Sequence, residues 1–467
     1  MTSRPSSSMP PEGSRALILL MRRAAHPLER FLHIEAASGI VLLVMACMAM
    51  AWANSPFADS YASFWHTPLG VRVGGFVFER SLEWLVNDGL MVIFFFVVGL
   101  EIRREVYEGE LSEWRRAALP AAAALGGMVV PAALYLALAG APAIRSGWGV
   151  PMATDIAFAV GVMTLLDKRV PAALRVLLLA LAVIDDLGAI LVIALFYSAG
   201  IEPAGLAIAA GGFAAIVVLK RLGVRSKLVY VAPALIAWAG TYAAGIHPTI
   251  AGVIIGLLTP VRAWLGASGL ASGLQEELAA LERARTGELS AAELRAHVRR
   301  VDIARREALS PADSLIASLH PWVAFAIMPV FALANAGVNV GGVAFSAQSW
   351  NVAAGVAIGL IVGKPVGVLL ASALTLRLGL AVLPRGLTLR HLVVLGVIAG
   401  IGFTMSLFIA QLAFTDASSL AAAKIGVLVA SAGSAIVGLA LGRALLRPVA
   451  VAGAARTADE AECSTEA

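Results

Sequence analysis

The amino-acid sequence predicts an all-α polytopic membrane protein with about twelve transmembrane helices. Of its 467 residues, 60% are hydrophobic and only 14% are charged, and the apolar residues form long runs without a charge. A soluble globular chain carries about 25% charged residues, whereas a helix that spans a bilayer needs about 20 consecutive apolar residues. The composition therefore excludes a soluble globular domain, and the length leaves room for a dozen spans.

Twelve apolar runs are bounded by charged residues, glycine or proline, and we expect each of them to be a span. They lie near residues 33–53, 82–104, 118–139, 148–166, 172–197, 204–220, 228–242, 246–259, 315–336, 352–376, 391–413 and 421–444. The eighth run is too short to cross a bilayer alone in regular helical geometry.

Loops rich in basic residues alternate with loops poor in them along this set of spans. The end of span two and the loop after it contain several, including Arg103, Arg104, Arg115 and Arg116, whereas the loop between spans three and four contains Arg145 alone. Because loops rich in Lys and Arg stay in the cytoplasm, the alternation places both chain termini there. The predicted organisation is a cytoplasmic N-terminal tail (residues 1–32), a transmembrane domain (residues 33–447) and a polar C-terminal tail (residues 448–467).

Two loop segments carry patterns of their own. Residues 261–313 mix acidic and basic side chains at helical spacing, which predicts a cytoplasmic insertion of one or two amphipathic helices. Residues 70–80 alternate in polarity around Gly74 and Gly75, which predicts a β-hairpin in an external loop.

Charge and cysteine content exclude several other classes of protein. The chain has 35 basic and 30 acidic residues, and basic loops beside membrane spans account for this excess without a nucleic-acid partner. The two cysteines, Cys47 and Cys463, are too few for a disulfide framework or a zinc site. The sequence therefore predicts no cofactor and no nucleic-acid partner, and membrane lipid as the surrounding solvent.

Four ionisable residues lie near the middle of predicted spans, where charge is otherwise excluded. They are Asp155 in span four, Asp185 and Asp186 in span five, and Lys364 in span ten. A charge at the centre of a bilayer costs about 3 kcal/mol on insertion scales, so such groups usually face a cavity and mark an ion or substrate path. The four residues together predict a polar site near the midplane.

The adjacent acids Asp185 and Asp186 are the strongest indication of what this site does. Neighbouring side chains on a helix diverge by about 100°, so one carboxylate can hold a cation while the other pairs elsewhere. Carboxylate oxygens are hard ligands that suit Na⁺ or Li⁺, and a site that binds either a proton or such a cation exchanges one for the other. The alternative is a structural ion pair between this helix and Lys364.

Spans four and eleven carry helix-breaking residues, in the segments GWGVPMATDIAF and GVIAGIGFTMSLF. Interrupted helices near the midplane are tolerated where their backbone lines a cavity, and two of them in corresponding repeats indicate a transport site. Spans three to five and ten to twelve enter the membrane from opposite sides, which predicts inverted repeats. Asp155 and Lys364 could then balance the charged ends of the half-helices. Alternatively, glycine and proline are simply common in membrane helices.

At these residues the chain resembles the NhaA-type sodium/proton antiporter family. The matching segments run in order through most of residues 30–447: NDGLMVIFFFVVGLEIRREVYEGEL from Asn87, ATDIAFAVGVMTLL from Ala153, ALAVIDDLGAILVIALFYS from Ala180, AGIHPTIAGVIIGLLTP from Ala244, LHPWVAFAIMPVFALANAGV from Leu319, GLIVGKPVGV from Gly359 and GIGFTMSLFIAQLAF from Gly400. The resemblance implies a secondary active transporter of the cell (inner) membrane. It implies electrogenic exchange of cytoplasmic Na⁺ or Li⁺ for external protons, which contributes to pH and sodium homeostasis.

The resemblance also implies roles for individual residues of the site. Asp186 matches the principal cation and proton site, and Asp185 lies beside it, able to pair with Lys364. Thr154 and Asp155 match the crossing of extended chains in span four. The expected ligands of Na⁺ or Li⁺ are therefore Asp185 and Asp186, supported by the other three.

A second set of residues matches positions connected with pH sensing and assembly. Glu101, Arg104 and Glu105 match a polar cluster at the cytoplasmic mouth, and His247 and His320 match histidine positions of the family. The chain departs from the family pattern before LHPW, where Ile316 and Ala317 replace an acid and a second histidine, and its cytoplasmic insertion is longer than usual. Members of the family form dimers through an external hairpin, the role expected for residues 70–80.

Two other classes of function are compatible with parts of this pattern. A cation channel or an organic-solute symporter could use a related inverted-repeat scaffold. An intramembrane hydrolase could use two aspartates for acid–base chemistry, although adjacent acids on one helix point apart. The acid pair and the lysine in GKP favour the antiporter.

Overall fold

The computed structural model describes residues 35–448, except residues 75, 199, 264–265, 267–274, 276–289 and 342–345. The predicted N-terminal tail (1–32) lies outside the described residues. The same is true of the C-terminal tail beyond residue 448 and of much of the predicted cytoplasmic insertion.

The described chain is mostly helical. In chain order the helices are α1 (Glu35–Ala53), α2 (Ala58–Trp65), α3 (Leu82–Glu108), α4 (Trp114–Leu138), α5 (Ile156–Thr164), α6 (Ala172–Phe196), α7 (Pro203–Arg221), α8 (Val231–Ala243), α9 (Thr249–Leu258), α10 (Ala291–Ala308), α11 (Pro311–Asn335), α12 (Ala347–Arg377), α13 (Leu389–Ala399), α14 (Phe403–Ala413) and α15 (Ala417–Leu445). Short 3₁₀ segments cover Glu110–Ser112, Pro142–Met152, Asp167–Arg169 and Lys227–Tyr230. π-Helical turns interrupt α3, α11 and α12 at Leu85–Leu90, Val323–Ile327 and Gly359–Gly363.

Seven of the described helices are long and apolar enough to cross a bilayer, and the number is nine if each of two bent pairs counts as one span. This result supports an all-α, multi-pass membrane protein. Predicted spans four, seven and eight correspond to shorter helical segments, and the twelve-span count stays a prediction.

The first bent pair was not expected from the sequence. After α1 the chain turns by 116° into α2, where an external loop was predicted. Tyr61 and Trp65 of α2 are buried, and the Tyr61 hydroxyl donates a hydrogen bond to the Leu333 carbonyl oxygen at 2.9 Å. The segment is therefore a helix packed against α11.

The predicted hairpin is confirmed as two antiparallel strands, β1 (Pro68–Val73) and β2 (Phe76–Ser81). Their register pairs Pro68 with Ser81 and Val73 with Phe76. Arg80 fixes the hairpin to α8, because its Nε and Nη2 donate hydrogen bonds to the Tyr242 hydroxyl at 3.0 and 2.7 Å.

Glycines bring α4 and α12 into close contact. A Cβ atom on Gly126 would lie 2.2 Å from the Gly367 carbonyl oxygen, so only hydrogen fits there. Small residues allow helix backbones to approach in this way in membrane proteins. The contact presses Lys364, one turn before Gly367, against α4, where a Cβ atom on Gly127 would lie 3.4 Å from the Lys364 Cε atom.

The described part of the predicted insertion contains α10. Ser290 begins this helix with a reciprocal capping box, in which its hydroxyl accepts from the Glu293 backbone and the Glu293 side chain accepts from the Ser290 backbone. Near the other end of α10, Glu307 forms an ion pair with Arg225. This ion pair attaches the end of α10 to the loop after α7.

Candidate ion-binding site

Two interrupted helical segments meet inside the protein. The 3₁₀ segment Pro142–Met152 is followed by three non-helical residues and then by α5, and α13 is separated from α14 by a bend of 46°. We call residues 153–155 the first break and residues 400–402 the second break. The Asp155 backbone N–H donates to the Ile401 carbonyl oxygen at 2.7 Å, so the two breaks are hydrogen-bonded to each other.

Asp155 caps the helices that follow both breaks. Its carboxylate accepts hydrogen bonds from the Phe158 backbone N–H at 3.0 Å and from the Thr404 backbone N–H at 3.0 Å. The Thr404 hydroxyl also donates to it. A negative charge at this point satisfies free N–H groups and complements the positive ends of two helix dipoles.

Lys364 lies between the first break and α6. Its side chain is fully buried, and its ammonium group donates hydrogen bonds to the Met152 carbonyl oxygen and to Asp185 Oδ2. Thr154 Oγ1 lies 2.7 Å from the same Asp185 oxygen. The structure thus brings together Thr154, Asp185 and Lys364, the pairing expected from the sequence.

Asp186 has no such partner. Its side chain is 1% exposed, and among the described residues neither of its carboxylate oxygens has a hydrogen-bond partner; the same is true of Asp185 Oδ1. An unpaired carboxylate in the protein interior is strongly destabilised unless it is protonated or paired with a cation. The unpaired oxygens of these two adjacent buried carboxylates can therefore take up either a proton or a small hard cation.

Glu101, Arg104 and Glu105 lie at one end of α3 and have different surroundings. Arg104 Nη1 is 3.9 Å from Asp313 Oδ1, and Glu105 Oε1 accepts a hydrogen bond from the Glu110 backbone N–H at 2.7 Å. Glu101 interacts electrostatically with Asp186. Of the three, Glu101 is therefore the residue that the structure connects to the acid pair.

The predicted histidine His247 does not join this group. His247 Nε2 is 3.4 Å from Asp88 Oδ1, and Asp88 precedes Glu101 by thirteen residues on the same helix, which separates them by about 20 Å. His320 lies on the exposed side of α11. The structure therefore places His247 apart from Glu101, Arg104 and Glu105.

Sequence reasoning missed a polar network that joins α3, α11 and α14. Gln411 Nε2 donates to Glu83 Oε1 at 3.3 Å and also to Asn335 Oδ1. Asn335 Nδ2 donates to Asn87 Oδ1 at 2.8 Å. These residues lie near helix ends, where polar side chains are common, so no pattern in the sequence distinguished them from solvated positions.

Fold and site together define a multi-pass helical membrane protein with a buried acid pair and lysine beside two interrupted helical segments. Residues 29–441 match the family model described as Na+/H+ antiporter 1, and the chain belongs to this family. A protein named Na(+)/H(+) antiporter NhaA 2 from Myxococcus xanthus (strain DK1622) is 67% identical over 459 residues, 98% of each chain. Proteins of the same name from Sorangium cellulosum (strain So ce56) and Pseudomonas putida (strain KT2440) are 56% and 52% identical, over 96% and 93% of this chain and 96% of each relative.

Proposed function

We propose that this protein is a secondary active transporter that exports cytoplasmic Na⁺ or Li⁺ in exchange for external protons, and so contributes to pH and sodium homeostasis. Family membership and the names of its relatives support the reaction. The observation that carries the assignment of the site is the buried Asp186 carboxylate, which has no partner among the described residues and lies beside the Asp185–Lys364 pair.

Exchange at this site follows from competition for the same oxygens. When Na⁺ or Li⁺ binds to Asp186 and Asp185, the proton that neutralised Asp186 must leave, and protonation on the other side of the membrane expels the cation. Electrogenic exchange requires that more than one proton leaves for each monovalent cation. The Asp185–Lys364 pair is the neighbouring group that can supply the second proton.

The proposed membrane arrangement has twelve spans with both termini in the cytoplasm of an inner-membrane protein. Spans three to five and ten to twelve form inverted repeats, and the breaks at 153–155 and 400–402 lie in spans four and eleven. Glu101, Arg104 and Glu105 sense pH at the cytoplasmic mouth, with His247 and His320 as further candidates. The hairpin over residues 70–80 joins two copies in a homodimer.

The test uses proteoliposomes with an imposed pH gradient. Added Na⁺ or Li⁺ should dissipate the gradient with the wild-type protein and leave it intact with Asp186→Asn, because an amide cannot alternate between proton and cation. Asp59→Asn, at an exposed position of α2, is the matched control and should exchange normally. Normal exchange by Asp186→Asn would show that the assigned site is wrong.

Two further outcomes of the same measurement would change the class of transporter. Sodium movement without proton movement would indicate a channel, and movement of Na⁺ together with a solute would indicate a symporter. Calorimetry provides an independent check, because the proposed competition raises the apparent dissociation constant for Na⁺ by about tenfold per unit of falling pH for each proton that the cation displaces, once the site is protonated. Sodium binding that is independent of pH would contradict the proposal.

A further inference from the structure

Two serines of the last helix face the second break. Ser431 and Ser434 of α15 are each 1% exposed. Residues three positions apart lie on the same face of a helix, and α15 packs against both α13 and α14. The two hydroxyl groups are therefore presented, about 4.5 Å apart along α15, to the short segment that separates α13 from α14.

Ser431 fixes the start of α14. The Phe403 backbone N–H donates a hydrogen bond to Ser431 Oγ at 3.0 Å, and the next backbone N–H, that of Thr404, donates to Asp155 at 3.0 Å. The first N–H groups of a helix have no partner within the helix, so these two side chains satisfy them from outside. Ser431 thus helps to fix the position of Thr404, the residue that contacts Asp155.

Ser434 lies at the other side of the same break but has nothing to bond. Its hydroxyl is buried without a hydrogen-bond partner among the described residues. A Cβ atom on Gly400 would lie 2.8 Å from Ser434 Oγ, so the hydroxyl is in contact with the backbone of the break. A buried hydroxyl without a partner destabilises the conformation that contains it.

We infer that Ser431 and Ser434 are positioning residues that give the second break two alternative hydrogen-bonded positions. In the described conformation the start of α14 bonds to Ser431. In the other conformation of the exchange cycle, the backbone of the break moves along α15 and bonds to Ser434. This inference rests on the proposed function, because exchange across a membrane requires two conformations that open to opposite sides.

The inference predicts that substitutions of Ser431 and Ser434 shift the ratio of the two conformations in opposite directions. Ser431→Ala removes a hydrogen bond from the described conformation, and Ser434→Ala removes one from the alternative conformation. One hydrogen bond changes a conformational ratio by about fivefold. If the two serines only filled space, Ser431→Ala and Ser434→Ala would not shift the conformational ratio in opposite directions.

Transport kinetics measure this shift, because apparent affinity falls when the conformation that binds the ion is less populated. The half-saturating Na⁺ concentration should rise up to about fivefold on one side of the proteoliposome with Ser431→Ala, and on the opposite side with Ser434→Ala. Ser372→Ala of α12 is the matched control, because Ser372 is also a fully buried hydroxyl without a partner among the described residues. It should leave both values unchanged.

Deuterium uptake of the segment 400–406 tests the same inference without transport. Uptake should increase in Ser431→Ala, which releases the Phe403 N–H, and decrease in Ser434→Ala. Ser434→Ala removes an unpaired hydroxyl and is expected to fold, so the test does not depend on the other variant. If deuterium uptake changed in the same direction in both variants, the inference would be overturned. Absence of Na⁺/H⁺ exchange in the wild-type protein would contradict the proposed function instead.

Discussion

The two breaks at the site are stabilised in different ways. The first break contains its own carboxylate, Asp155, which caps the helix that follows it and the helix after the second break. The second break contains no ionisable side chain. Bonds from other segments reach this break and the residues that flank it. Thr154 Oγ1 donates to the Ala399 carbonyl oxygen, the Asp155 backbone N–H donates to the Ile401 carbonyl oxygen, and Ser431 Oγ accepts from the Phe403 backbone N–H.

What the second break contributes is space. A Cβ atom on Gly400 would lie 2.6 Å from the Leu360 carbonyl oxygen, and one on Gly402 would lie 3.0 Å from the Ala153 carbonyl oxygen. The glycines let other backbone segments approach the break. One break therefore supplies charge and the other supplies room, and this division predicts that the two respond differently to substitution.

The largest effect is expected from Asp155→Ala, which removes the charge that serves both breaks. The variant leaves two backbone N–H groups and the Thr404 hydroxyl without their acceptor. Each buried unsatisfied donor costs about 1–3 kcal/mol, so for three donors we expect a loss of about 3–9 kcal/mol in the free energy of unfolding. Thermal unfolding in detergent measures the loss, and Na⁺/H⁺ exchange in proteoliposomes should disappear.

The control for this experiment is Asp59→Ala. Asp59 is also an acid near the start of a helix, but it is exposed and far from the breaks along the chain. It should change the unfolding temperature little. If Asp155→Ala unfolded at the wild-type temperature, the Asp155 carboxylate would not stabilise the two breaks.

A smaller effect is expected from Gly400→Ala, which removes space and leaves the hydrogen-bonding side chains in place. Its φ of −66° is open to any residue, so the cost comes from close contact with the Leu360 carbonyl oxygen at 2.6 Å and with Ser434 Oγ at 2.8 Å. Overpacking of this kind costs about 1–3 kcal/mol. The exchange rate should fall, and the unfolding temperature should fall less than with Asp155→Ala.

Gly433→Ala provides the matched control for that change. A Cβ atom on Gly433 would meet only the Ile361 Cδ1 atom, at the ordinary distance of 3.5 Å. Alanine is favoured over glycine within a helix by about 0.5–1 kcal/mol, so this variant should be as stable as the wild type or more stable. If the two alanines had equal effects, close approach at the second break would not matter.

The sequence was sufficient to predict the charged part of the site. A charged lysine in an apolar span implies a nearby carboxylate, which made Asp185 one candidate, and the family resemblance implied the pair with Lys364 that the structure contains. Alternating residues around Gly74 predicted the hairpin, and the Gly and Pro positions predicted interruptions in spans four and eleven, which as broken transmembrane helices stay a prediction. Each of these features follows from a local pattern or from the cost of an isolated charge.

The sequence could not predict contacts between neutral residues that are far apart. Serine is common in membrane helices, so Ser431 carries no signal that it accepts from Phe403. The close contact of Gly126 with Gly367 depends on how two helices cross, and the 116° turn before α2 depends on packing against α11. His247 was grouped with Glu101 by resemblance, whereas helix length separates them.

The smallest effect is expected at Thr154, whose hydroxyl contacts both Asp185 and the end of α13. Its hydroxyl lies 2.7 Å from Asp185 Oδ2 and 2.9 Å from the Ala399 carbonyl oxygen, and its single proton can be donated to one of them at a time. Thr154→Val should therefore cost one hydrogen bond, about 0.5–1.5 kcal/mol, and raise the half-saturating Na⁺ concentration by a few fold. Thr154→Ser keeps the hydroxyl and should behave as the wild type. Because this hydroxyl can switch between the acid pair and the end of α13, a larger loss with valine than with Gly400→Ala would mean that the breaks communicate through Thr154 more than through close approach.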